Sequence, residues 1–117
     1  TEQVYEIIQN HQTENAQVLV YVVGSTASIT TLEYEPGLLK DIPEALEIIA
    51  TMNKTYHHDK TWNEGNGFAH VRASMMGNSK SFPVIKNGLI LGTWQQVVLM
   101  DFDNKPRTRS IYVQIIY

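Results

Sequence analysis

Val18-Leu19-Val20-Tyr21-Val22-Val23 is the longest aliphatic run of the chain. It has no polar face, which suits a central strand covered on two sides. It is also far too short to cross a bilayer, which takes about 20 apolar residues. Upstream, Val4, Ile7, Ile8 and His11 recur at helical spacing, with Thr1 as N-cap and Glu2 near the positive helix end. His11 is therefore expected at the core or its boundary. Thr1 to Asn10 lacks the basic start and apolar middle of a signal peptide, so a soluble cytoplasmic protein is expected.

Downstream, Gly24 to Glu33 is dense in hydroxyl and β-branched residues and reads as extended chain with a polar edge. Pro36-Gly37 marks a turn. Asp41 followed by Glu44 predicts an N-cap for a helix carrying Ala45, Leu46, Ile49 and Met52. Thr55 to Gly65 lacks periodicity and is expected to be a loop. Asn66 is expected to cap a third helix running to Met76, with Gly77 as its stop. Projected at about 100° per residue, Phe68, Val71 and Met75 share one side of it and His70 and Ser74 the other. The remainder reads as a β meander. Its parts are Ser81 to Lys86, the Asn87-Gly88 hairpin signal, Leu89 to Asp103 with a break at Gly92, and Thr108 to Tyr117. Alternation sets Arg109 at the end of an apolar face formed by Ile111, Val113, Ile115 and Tyr117.

A length of 117 residues with 43% hydrophobic and 18% charged residues fits one domain, spanning 1–117, with its own core. A net charge of -3 gives no footprint for nucleic acid, whose binding rests on clustered Lys and Arg. The basic cluster Lys105, Arg107 and Arg109 is local and suits one small anion. Without cysteine, disulfides and thiolate metal sites are excluded, which leaves His, Asp and Glu as metal ligands.

His58 and His70 could converge on one ion, although their spacing by itself favours two independent surface imidazoles. Asp59 could orient an imidazole through a carboxylate hydrogen bond, or be a solvated loop carboxylate. Glu33 could bind a cation or act as acid or base, or simply face solvent. Gly92-Thr93-Trp94-Gln95 could grip an aromatic ligand and its phosphate, or form a β-bulge with a core Trp. No phosphate-cradling P-loop, serine-protease or dinucleotide fingerprint is present.

Taken in order, these segments resemble the YjbQ-like family over nearly the whole chain. The resemblance is carried by Ser25-Thr26-Ala27-Ser28-Ile29-Thr30 with Glu33, Tyr56-His57-His58-Asp59, Asn66-Gly67-Phe68-Ala69-His70, Gly92-Thr93-Trp94-Gln95, and Asp103 to Arg109. It implies a compact α+β domain with a small antiparallel β-sandwich and about three helices, assembled as a homotrimer and here lacking the family's usual first strand. Some members are described as thiamine-phosphate synthases, which join a pyrimidine diphosphate to a thiazole phosphate and release pyrophosphate. On that basis His58 and His70 are expected to hold a divalent metal ion such as zinc or magnesium, with His58, Asp59 and Glu33 as catalytic groups. Thr93, Trp94, Gln95, Arg107, Arg109 and Asn66 are expected to contact a small phosphorylated substrate. A noncatalytic metal- or phosphate-ligand-binding role is the alternative. One departure matters: the family pattern commonly has a His where this chain has Gly24.

Overall fold

The aliphatic run becomes β1 (Asn15–Val22) in a computed structural model that describes residues 1–117. β1 runs antiparallel between β3 (Ser79–Ile85) and β6 (Ile111–Ile116), and β4 (Gly88–Leu89) completes a sheet of order β4-β3-β1-β6. Its central position is as expected, but only one face is fully covered. Val18, Val20 and Val22 are buried, whereas Leu19 and Tyr21 are half-buried beside Tyr112 and Val113. Side-chain alternation operates even within an all-apolar run, and nothing within the chain covers the second face.

β2 (Ala27–Glu33) and β5 (Gln95–Asp101) pair only with each other, from Ala27 opposite Asp101 to Glu33 opposite Gln95. The meander expectation is thereby corrected. Only β3 and β4 form a hairpin, through Lys86 and Asn87 at φ 50 and 60. β5 then leaves for the second sheet before β6 returns to β1. The break expected at Gly92 extends from residue 90 to residue 94. The main core draws Val18, Val20 and Phe82 from the first sheet, Ile29 and Val97 from the ribbon, and Ile8 from α1 (Glu2–His11). Full burial of a side chain such as Ile8 contributes roughly 2 kcal/mol.

Thr1 precedes α1 as expected, yet its hydroxyl accepts the Val97 N–H at 2.9 Å instead of a helical one, tying helix to ribbon. His11 is exposed, contrary to expectation, with Nδ1 2.7 Å from the Ile7 carbonyl oxygen. α2 (Leu38–Ile49) begins ahead of Asp41, because the Glu35 carboxylate accepts the N–H groups of Gly37 (2.8 Å) and Leu38 (2.5 Å). The loop expected at Thr55 to Gly65 contains α3 (His57–Trp62), making four helices. Asp59 closes its first turn by accepting the Tyr56 N–H at 2.8 Å. Six residues are too few for helical periodicity to register.

α4 (Gly67–Met76) has the expected bounds but not the expected buried side. Phe68, Ala69, Arg72 and Ala73 face inward, while Val71 and Met75 are exposed. Arg72 decides this rotation. Its guanidinium is satisfied inside by the Ala50 carbonyl oxygen (3.0 Å) and Glu47 (2.9 Å). The small residues Ala69 and Ala73 can then lie against the ribbon, with Phe68 and Phe102 beside them.

Candidate functional site

The site forms where the Ala27–Asp101 end of the ribbon meets the N-terminus of α4. Asp101, Phe102 and Asp103 alternate as β5 ends, so Phe102 turns into the core while the two carboxylates turn away from it. Asp103 is the hub. Its side chain is 1% exposed and accepts hydrogen bonds from Thr26 Oγ1 (2.9 Å), Arg107 Nε (2.9 Å), Asn66 Nδ2 (3.3 Å) and the Asn104 N–H (2.8 Å). Burial opposes its ionisation, but these donors outweigh burial and hold its pKa at about 2.

Arg109 is the second fixed point. Its Nε and Nη2 bond to the two oxygens of Asp101 at 2.9 and 2.8 Å, and Nη2 also donates to Thr26 Oγ1 at 2.7 Å. The paired Asp101 carboxylate raises the arginine's pKa further, and Arg109 in turn lowers that of Asp101. Nη1 is the guanidinium nitrogen left without a protein partner. Gly24 explains its position: at φ +122 it carries no side chain, and a Cβ there would stand 2.7 Å from Nη1.

Across from these groups, α4 presents His70. Burial and the neighbouring His58 lower its pKa, keeping the ring neutral, while Asp103 and Glu64 oppose the shift. His58 and His70 do converge, with ring centroids 4.1 Å apart and planes tilted by 46°. His58 Nε2 is buried and has no hydrogen-bond partner. The role considered for Asp59 as orienter of an imidazole is corrected: its second oxygen accepts the Gly67 N–H at 2.8 Å, so both oxygens serve backbone. Those bonds, led by that from Tyr56, lower its pKa.

Asn66, His70, Arg107 and Arg109 thus share the wall of one polar cavity of about 270 Å³. His58 stands behind His70, and Asp59 clamps α3 to α4. Glu33, Thr93, Trp94 and Gln95 do not join them. They sit at the opposite end of the ribbon, roughly 20 Å away at the usual rise per strand residue. There Glu33 and Trp94 are exposed, and Gln95 bonds Thr31 Oγ1 (3.1 Å) and the Gly92 N–H (2.9 Å). Asp101, Asp103 and Thr26 are structural partners that sequence reasoning left out. Their signal was the pair of acids two residues apart, followed by two arginines also two residues apart.

A metal ion needs about four donors, commonly three or four of them side chains. No group of three His, Cys, Asp or Glu side chains in this chain is arranged to hold one. His58 and His70 lie together, but Asp59 and Asp103 are committed to hydrogen bonds and position 24 offers no side chain. The donor set does not fit a divalent metal.

Fold and site define an α+β protein with a two-sheet core and a polar, arginine-lined pocket beside a helix N-terminus. The family described as UPF0047 protein YjbQ-like matches residues 1–117, and the chain belongs to it. A UPF0047 protein of Archaeoglobus fulgidus is 37% identical over 116 residues, covering 99% of this chain and 87% of the relative. The UPF0047 protein YugU of Bacillus subtilis is 32% identical, covering 99% and 86%. A crystal structure of a YbjQ-like protein of unknown function from Sulfolobus solfataricus superposes with TM-score 0.90 at 31% identity, covering 99% of this chain and 82% of that one. An uncharacterised YjbQ/UPF0047 protein of Clostridium acetobutylicum gives TM-score 0.88 at 30% identity, covering 99% and 87%. No helix is long and apolar enough to cross a membrane.

Proposed function

We propose that the polar cavity binds a small phosphorylated molecule and that the protein acts as a transferase of the thiamine-phosphate synthase type in the cytoplasm. The observation that supports this reading is the meeting of Arg107, Arg109 and neutral His70 in one cavity of about 270 Å³ lined by no hydrophobic residue. Arg107 bonds Asp103 through Nε alone, so its terminal nitrogens remain for a ligand, as does Nη1 of Arg109. Charge-assisted hydrogen bonds of this kind suit phosphate oxygens.

In the proposed reaction the thiazole nitrogen forms a bond to the pyrimidine methylene carbon as its C–O bond breaks, and pyrophosphate leaves with the electron pair. The arginines stabilise that departing charge. Neutral His70 donates an N–H to one of its oxygens. Trp94, far from this cavity within the chain, is left out of the mechanism. Its place as an apolar wall is taken by a cavity of about 460 Å³ lined by Leu46, Phe68 and Met100, which also touches Asp103.

Purified protein given both precursors is expected to form thiamine phosphate and pyrophosphate, and Arg107→Ala to lower kcat/KM at least tenfold. A noncatalytic ligand-binding role is favoured by one observation: Arg109 is held rigidly by its paired bonds to Asp101, which suits fixed binding of an anion whether or not it reacts. Binding of either precursor without product at any concentration establishes that second reading and removes the first.

Self-association as a homotrimer belongs to the same proposal. Its support is apolar surface at Ile48 (87% exposed) on α2 and Tyr112 (63%) on β6, together with a radius of gyration of 16.2 Å. A compact domain of this length has about 13 Å. Sedimentation as a monomer at tens of micromolar, roughly the range of stable assemblies, removes this part.

A further inference from the structure

We infer that Gly24 and Arg109 together make the pocket a metal-independent oxyanion site, suited to a diphosphate-type ligand that reaches across Gly24-Ser25. The inference rests on the reading of the cavity as a phosphate site and specifies its ligand chemistry.

The first support is the mutual dependence of the two residues. The Arg109 side chain is 9% exposed, and its plane is fixed by the paired bonds to Asp101 and the bond to Thr26. Only Nη1 is unpartnered, and it occupies the approach to position 24. A side chain at 24 would have to displace it, since even a Cβ falls 2.7 Å away. The φ of +122 at Gly24 also strains any other residue there. The bare backbone and the guanidinium therefore form one feature.

The second support is the shape around that feature. Gly24 and Ser25 line the 270 Å³ cavity and also a neighbouring one of about 380 Å³ that includes Ser74 and Asn78. Arg109 lines the first of them, with Nη1 beside Gly24, the residue at which the two adjoin. A ligand with one phosphoryl group against Arg109 and Arg107 can carry a second toward Ser25, Ser74 and Asn78, where hydroxyl and amide donors are available. A guanidinium keeps its charge at every physiological pH and supplies donors in a fixed plane. It provides the positive charge that the absent third metal ligand cannot help to hold, because His58 and His70 alone complete no coordination shell.

The test is calorimetric titration of the full chain with inorganic pyrophosphate, once after chelator treatment and dialysis and once after loading with zinc. The expected affinity is the same within twofold in both states. Arg109→Lys, folded by circular dichroism, is expected to weaken binding at least tenfold, because ammonium cannot keep both the Asp101 pair and a free donor at Nη1. Gly24→Ala is expected to do the same. Arg109→Lys decides the matter where strain at position 24 prevents folding. Binding lost in chelator and restored by zinc overturns the inference while leaving the phosphate-site reading standing, and wild-type affinity in Arg109→Lys also overturns it. Absence of pyrophosphate binding in both states overturns the phosphate-site reading itself.

Discussion

Asp103→Ala is expected to lower the unfolding free energy by about 3 kcal/mol, measured by urea denaturation at neutral pH. The carboxylate joins four donors from three parts of the chain, namely Thr26 just ahead of β2, the α4 N-cap and the segment after β5. Removing it leaves the buried Thr26 and Asn66 short of an acceptor, and deprives Arg107 of its counter-ion. The same group sets an acid limit. Its pKa is about 2 in the fold against 3.8 unperturbed, so the folded state binds the proton less readily than the unfolded chain. Its stabilisation, about 2 kcal/mol, is complete above pH ~4 and is lost as pH falls through ~2. Asp103→Asn is expected to flatten the stability profile across that window. A variant with unchanged stability at neutral pH and an unchanged acid limb contradicts the role of Asp103 as hub.

Gly67→Ala is expected to cost about 3 kcal/mol, the upper range for overpacking a filled site. A Cβ at this position would meet Tyr56 Cβ at 2.4 Å and Cγ at 2.8 Å, and Asp59 Oδ1 at 3.1 Å. Tyr56 Cβ is fixed by its own backbone, so no rotamer change relieves the contact. The N-terminus of α4 must shift away from α3. That shift stretches the Gly67 N–H bond to Asp59 and parts His58 from His70. Thermal denaturation checks the first effect, and histidine ring-proton shifts in NMR spectra check the second. Stability within 0.5 kcal/mol of the parent, about the scatter of neutral surface changes, rejects this account of the α3–α4 junction.

The parts of the fold that were legible in sequence have local causes. Asn66 and Gly77 delimit α4, the Asn87-Gly88 signal marks a hairpin whose turn falls one residue earlier, at Lys86-Asn87, and Val18 to Val22 makes a central strand. What escaped depends on contacts between residues distant in the chain. Nothing local says that β5 pairs with β2 instead of continuing a meander. The projection of α4 took no account of Arg72, whose partners inside, the Ala50 carbonyl oxygen and Glu47, turn the helix away from its apolar side. The same holds for the site. Convergence of His58 with His70, and of Arg107 with Arg109, matched the residues singled out. Glu33, Thr93, Trp94 and Gln95 were drawn into the same set by family resemblance alone, and the length of the ribbon separates them from it. Asp59 looked like an imidazole partner because it follows His58, but its bonds go to the backbone of Tyr56 and Gly67.

The central claim is that the cavity bounded by His70, Arg107 and Arg109 is where a phosphorylated ligand binds. A crystal structure of the protein soaked with inorganic pyrophosphate tests it most directly. The account predicts phosphoryl density within hydrogen-bonding distance of Arg109 Nη1, beside Gly24. Ordered pyrophosphate at the Trp94 end of the ribbon, with the His70 cavity holding only solvent, would contradict it.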